Sequence, residues 1–261
     1  MTKAIARILP IVVGVALGVL IVSPPAWLRT LGPVAYLVTG SLALVALVAF
    51  VAVLIAVNLP AEVRLTPQAG PPPAELAGLA ARYAALGFAP AGPPMEVGIS
   101  PPGVMVAFVH ERERAYGTVF RTNTVPAKVA FDFVSLLEGG HGGLTSSAEV
   151  AGATLPADPG DLRQVVPGAT VEQVFERHRT AVAWLATRGL ACRAVSAARF
   201  VDDFRSAIAD QRRSVLANPL KSAVVAIWRS ATRTTPHLGP LEHQKLAARQ
   251  IAELTRPPAR A

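Results

Sequence analysis

Apolar and polar positions alternate with three different periods along this chain. Near the N-terminus they do not alternate at all. Val34 to Val57 is a run of 24 residues without a charge. At about 1.5 Å per residue, such a run matches a hydrocarbon core of about 30 Å. Ala4 to Val22 is a second apolar run, with Lys3 and Arg7 at its entrance. The pattern predicts two transmembrane helices, about 4–22 and 34–57, joined by the short loop "SPPAWLRTLGP" into a hairpin over residues 1–60. A basic start followed by an apolar stretch also describes a signal peptide, but the exit "IVSPPAWL" lacks a small-x-small cleavage pattern.

Beyond a Pro-rich linker at 61–73, including "TPQAGPPPAE", the periods change. "AELAGLAARYAALGF" places Leu76, Leu79, Tyr83 and Leu86 on one helical face and ends at Gly87. "GVMVAFVH" and "YGTVFRT", joined by "ERERA", read as an antiparallel hairpin. "VAFDFVSLLE" puts Val129, Phe131 and Phe133 on one side and Asp132 on the other, and "LTSSAEV" continues after a glycine cluster. Two helices follow. "TVEQVFERHRTAVAWLATRG" opens with Thr170 and Gln173 at capping-box spacing, and "ARFVDDFRSAIADQRRSVLANP" carries Phe200, Phe204 and Ile208 on one face. Strands followed by helices predict an α+β domain over 74–218: a four-stranded antiparallel β-meander packed by helices on one face. Residues 219–261 form a basic amphipathic helical region. The fold class expected is a membrane-anchored α+β protein.

Composition sharpens this picture. The chain is 52% hydrophobic with a mean hydropathy of +0.42, and all 17 acidic residues lie beyond position 61. Lys3, Arg7 and Arg64 flank the outer ends of the expected hairpin, against Arg29 in its loop, which predicts a multi-pass cell-membrane location with both termini cytoplasmic. No ionisable residue falls inside the core of either run, Ile8 to Val22 or Val34 to Val57, which argues against an ion or proton pathway. Gly14 with Gly18, and Ala52 with Ala56, have the small-x-x-x-small spacing that packs helices closely, within the hairpin or between copies in a homo-oligomer. The single cysteine, Cys192, excludes an internal disulfide, and its apolar flanks make it inert.

The candidate chemistry is sparse. "LLEGGHGGLTSS" sets His141 between two glycine pairs. It has neither the lysine of a phosphate loop nor a G-x-S-x-G elbow elsewhere in the chain, so the glycines are better explained by positive φ angles in a hairpin turn. His178 lies on the apolar stripe of its helix without a ligand at i±4, and reads as a buried structural histidine more than a base or metal ligand. Asp202 and Asp203 point about 100° apart and read as a solvated edge. From Arg193 onward there are 12 Lys and Arg against 5 Asp and Glu. Within that region, "PLKSAVVAIWRSATR" sets Leu220, Val224, Ile227 and Trp228 opposite Arg229 and Arg233. Trp228, Lys221, Arg229 and Arg233 are therefore candidates for a membrane interface with anionic headgroups, with packing on the domain as the alternative. Basic residues interleaved with alanine, with no known binding motif, make nucleic acid an unexpected partner.

The hairpin followed by "LAARYAALGF", "FVSLLEGGHGGLTSS" and "VEQVFERHR" resembles uncharacterised bacterial two-helix membrane proteins with a small cytoplasmic α+β domain. That resemblance implies a class and assigns no reaction, cofactor or catalytic residue. The expected function is that of a membrane-anchored interaction or structural protein, with the lipid bilayer and an unidentified protein as partners and no cofactor. The alternative is a membrane-bound hydrolase-like enzyme using His178 or His141.

Overall fold

The computed structural model describes residues 32–58, 62–98, 102–140, 142–149, 160–232 and 238–255. The elements in chain order are α1 (Gly32–Asn58), β1 (Leu65–Pro67), α2 (Ala74–Ala85), β2 (Ala89–Pro90), β3 (Met95–Val97), β4 (Gly103–His110), β5 (Ala115–Thr122), β6 (Val129–Leu136), β7 (Gly143–Ser147), β8 (Asp161–Val165), α3 (Val171–Ala186), α4 (Phe200–Ala217), α5 (Pro219–Thr232) and α6 (Lys245–Leu254). They fall into two compact units. One contains α1 and the chain from Val215 through α5, and the other contains the sheet with α2, α3, most of α4 and α6.

The sheet has eight strands in the order β1-β3-β4-β5-β6-β7-β8, with β2 also paired to β4. All pairs are antiparallel except β7 with β8. β4 and β5 form the expected hairpin, in register from Gly103↔Thr122 to His110↔Ala115. The turn between them is closed with Arg114 at φ 52°.

The expected four-stranded meander with helices on one face is corrected in both respects. β4 is buried on both sides, and alternate residues feed two cores. Val104, Val106 and Phe108 meet α2 and the first half of α3, through Leu76, Tyr83, Val174 and Phe175. Met105, Ala107 and Val109 meet α4 through Phe200, Phe204 and Ile208. A third cluster joins Leu144 and Leu162 of β7 and β8 to Ala181 and Leu185 of α3 and to Ile251 of α6. The physical reason lies in "VMVAFV", which has no polar position. A strand without alternation is one covered on both faces.

The expected membrane-crossing hairpin, and with it the multi-pass location with cytoplasmic termini, is also corrected. Among the described residues no helix is long and apolar enough to cross a membrane. The expected first helix, with Gly14 and Gly18, lies outside the described residues. The second apolar run is helical as α1, Gly32–Asn58. Its described partner is α5, a helix from the other end of the chain.

Candidate functional site

The capping box at the head of α3 is formed in full. Gln173 N donates to Thr170 Oγ1 at 3.4 Å and Thr170 N donates to Gln173 Oε1 at 2.9 Å. With the helix start fixed there, Val171, Val174, Phe175 and His178 all turn to the sheet. Beneath His178 the register brings together three polar side chains. Ser146 of β7 pairs directly with Gln164 of β8, and Ser135 of β6 lies diagonally across from Ser146.

His178 is 1% exposed, and Ser135, Ser146 and Gln164 are equally buried. Its Nε2 lies 2.9 Å from Ser135 Oγ and its Nδ1 lies 2.9 Å from Ser146 Oγ. The flanking bonds set the direction of the chain. Gln164 Nε2 donates to Ser146 Oγ at 2.7 Å, and Ser135 Oγ donates to the carbonyl of Arg114 at 3.0 Å. Ser146 therefore directs its proton to Nδ1, while Ser135 accepts from Nε2–H, so this pattern assigns a neutral imidazole protonated on Nε2. Gln164 extends the network, donating to the carbonyl of Arg177 at 3.1 Å and accepting from Leu241 N at 3.2 Å.

Burial lowers the His178 pKa to about 3, because no acid stands by to pay for a charge in an apolar surround. Phe133 lies beside the ring, with centroids 6.1 Å apart. A serine 2.9 Å from a histidine nitrogen resembles half of a nucleophilic pair. Here, however, the hydroxyl proton of Ser135 faces a backbone carbonyl, the imidazole offers it a donor, and solvent does not reach either group. The arrangement joins a helix to three strands and leaves no base free to act.

The glycine cluster forms the β6–β7 turn that its composition predicts. Gly139, Gly140 and Gly142 have φ of 76°, 73° and 84°, and Leu137 N donates to Gly142 O at 2.9 Å. His141 lies outside the described residues. Beside the turn is a cleft of about 500 Å³ whose lining includes Glu138, Gly139, Arg188 and Ala191. Glu138 faces Arg114 at 3.8 Å. The cleft therefore brings together neither His178 nor Cys192 with an acid.

Cys192 is buried, and burial pushes its thiol upward in pKa against a smaller opposing effect of Ser135. The expected solvated edge at Asp202 and Asp203 is corrected for Asp203, which is buried. It accepts from Tyr116 Oη at 2.8 Å and pairs with Arg193 at 2.7 Å. Tyr116 is itself raised to about 12, by burial first and then by the Asp203 bond. Asp132 was visible in the sequence only as the outward-facing member of its strand. Burial raises its pKa to about 6, opposed by Thr118, whose Oγ1 donates to Oδ1 at 2.6 Å. Ser135, Ser146 and Gln164 carried no local signal, since their meeting depends on strand register.

Among the interface candidates, Trp228 and Lys221 are exposed on α5 and Arg229 is half-buried, while Arg233 lies outside the described residues. Ala52 is buried on α1, and Ala56 lies near the end of the same helix. No group of three or more His, Cys, Asp or Glu side chains is placed to hold a metal among the described residues. No family model matches the chain, and neither does any curated protein or solved structure.

Proposed function

We propose that the chain is a non-catalytic interaction or structural protein, in which the α+β unit is a rigid body and the α1–α5 unit is the part that meets a partner. The observation that carries this reading is the state of His178. Both ring nitrogens are occupied by Ser135 and Ser146 inside the core, so the most chemically promising side chain is used to hold the fold. The exposed apolar residues of the other unit, Leu42 and Val45 of α1 and Trp228 of α5 among them, supply a surface suited to binding.

The hydrolase alternative makes a different demand on His178. It requires turnover that disappears with the imidazole while the fold survives. The test is to follow hydrolysis of p-nitrophenyl esters and phosphate esters by the purified chain and by His178→Gln, with unfolding measured on both. The interaction reading expects no turnover above the heat-denatured chain and a loss of stability in the variant. Turnover lost in a variant that unfolds like the parent would overturn it.

A further inference from the structure

We infer that the outward face of α5 docks on a lipid surface carrying anionic headgroups. The inference names a partner class for the interaction reading above and rests on it. Docking on a surface requires no helix to cross the bilayer.

The orientation of α5 is the first support. Its buried residues are small: Ser222 and Ala223 are 2% and 0% exposed, and Ser222 Oγ donates to the carbonyl of Val215 at 3.3 Å. The helix thus packs through a face that permits close approach. Three of its large apolar residues point the other way, while Val225 and Ile227 are half-buried. Leu220, Val224 and Trp228 are 57%, 51% and 65% exposed. Positions four apart on a helix are offset by only about 40°, so the three form one stripe. Leaving a leucine, a valine and a tryptophan in water along one line, while burying serine and alanine, is the reverse of what a helix in an aqueous surround favours.

α1, in the same unit, also exposes apolar side chains. Val38, Leu42 and Val45 of α1 are exposed at successive turns, as is Val53 further along. Charge then selects the occupant. The described residues of this unit contain Lys221 and Arg229 and no acidic side chain at all. A protein interface ordinarily carries a mixed polar rim. An apolar stripe with tryptophan at its end and the exposed Lys221 beside it matches the boundary of an anionic bilayer, where the ring lies at headgroup level and the ammonium stays in water.

The test uses the full chain carrying Trp27→Phe and Trp184→Phe, so that Trp228 is the sole indole. It is mixed with phosphatidylcholine vesicles, with or without phosphatidylglycerol, whose acyl chains are brominated. The inference expects Trp228 to be quenched, more strongly on the anionic vesicles. Leu220→Ser with Val224→Ser is expected to lower partitioning about tenfold, and Lys221→Gln to lower it about fivefold on anionic vesicles alone. Far-UV circular dichroism of each variant confirms that the helices remain. An indole that stays unquenched while the chain sediments with the vesicles would place the lipid contact elsewhere and overturn the inference. An unquenched indole in a chain that self-associates without lipid would assign the stripe to a second copy, and would overturn it as well. A His178-dependent esterase activity would sink the non-catalytic reading and leave the quenching result unchanged, so the two failures are distinguishable.

Discussion

Tyr83 of α2 lies directly against Gly117 of β5: a Cβ added to Gly117 would fall 2.2 Å from Tyr83 Cε1. The missing side chain lets the ring enter the sheet surface, where Tyr83 Oη donates to the carbonyl of Asp132 at 2.8 Å. Phe108 stacks on the same ring with centroids 4.9 Å apart. Gly117→Ala is therefore expected to destabilise by about 3 kcal/mol through overpacking. Tyr83→Phe keeps the ring and leaves the buried carbonyls less satisfied, at about 1 kcal/mol. Urea unfolding of the full chain orders the two, and a Gly117→Ala protein as stable as the parent would refute the close approach.

Removing His178 takes one of two hydrogen-bond partners from each of two buried hydroxyls. His178→Leu leaves Ser135 and Ser146 without their ring partners, at about 1 to 3 kcal/mol for each buried group. A triple variant, Ser135→Ala, Ser146→Ala and His178→Leu, removes both sides of each contact and is expected to recover part of the loss. Comparing single, double and triple variants in a mutant cycle measures the coupling. Purely additive losses would mean that the three groups do not act as one network.

Buried His178 and half-buried Asp132 act in opposite directions as the pH falls. His178 has a folded pKa of about 3 against an ordinary 6.5. Acidification below 6.5 therefore charges the unfolded chain first and removes stability. Asp132 has a folded pKa of about 6 against an ordinary 3.8, so between those values the folded chain holds the proton and gains stability as pH falls. From pH 6 to pH 4 the two contributions nearly cancel, each with a slope of about 1.4 kcal/mol per pH unit. In Asp132→Asn the cancellation is gone, and acid is expected to destabilise the protein from pH 6.5 downward. In His178→Gln, the remaining carboxyl makes the protein more resistant as pH falls from 6 to 4. Urea midpoints across this range, compared among the three proteins, check the signs.

What the sequence disclosed tracks how local each interaction is. β4 and β5 follow from two extended runs and a short charged turn, and the head of α3 follows from Thr170 and Gln173 alone. By contrast, β3 is three residues long, too short for a period. β8 adds in parallel to β7, so no hairpin turn announces it. The second helical layer is announced only by the lack of polar positions in β4, a signal carried by the same residues that form its hairpin. The candidate site divides in the same way. His178 stood out by its place on an apolar stripe, but Ser135, Ser146 and Gln164 come from three different strands, and only their register makes them neighbours. The apolar run of α1 shows the converse error: an uncharged stretch establishes a helix of low polarity, whereas its partner, α5, is distant in sequence.

The β6–β7 turn offers a comparison between two glycines that share a backbone conformation and differ in their surroundings. Gly140 and Gly142 have φ of 73° and 84°, where an L-residue is disfavoured by about 1 to 2 kcal/mol. An added Cβ at Gly140 meets nothing within 4 Å, whereas at Gly142 it would lie 2.5 Å from the carbonyl oxygen of Gly160, next to β8. Gly140→Ala is therefore expected to cost about 1 kcal/mol, and Gly140→Asn less, since asparagine tolerates the left-handed region. Gly142→Ala carries the same backbone penalty plus the clash, and is expected to cost at least about 2 kcal/mol more than Gly140→Ala by pushing against the backbone that leads into β8. His141→Asn, between them, is expected to be nearly silent if the turn requires φ and not an imidazole. Unfolding midpoints of the four variants decide the matter. Equal losses at both glycines would show that Gly142 has no close backbone neighbour, and a loss confined to His141→Asn would return the turn to the list of binding sites.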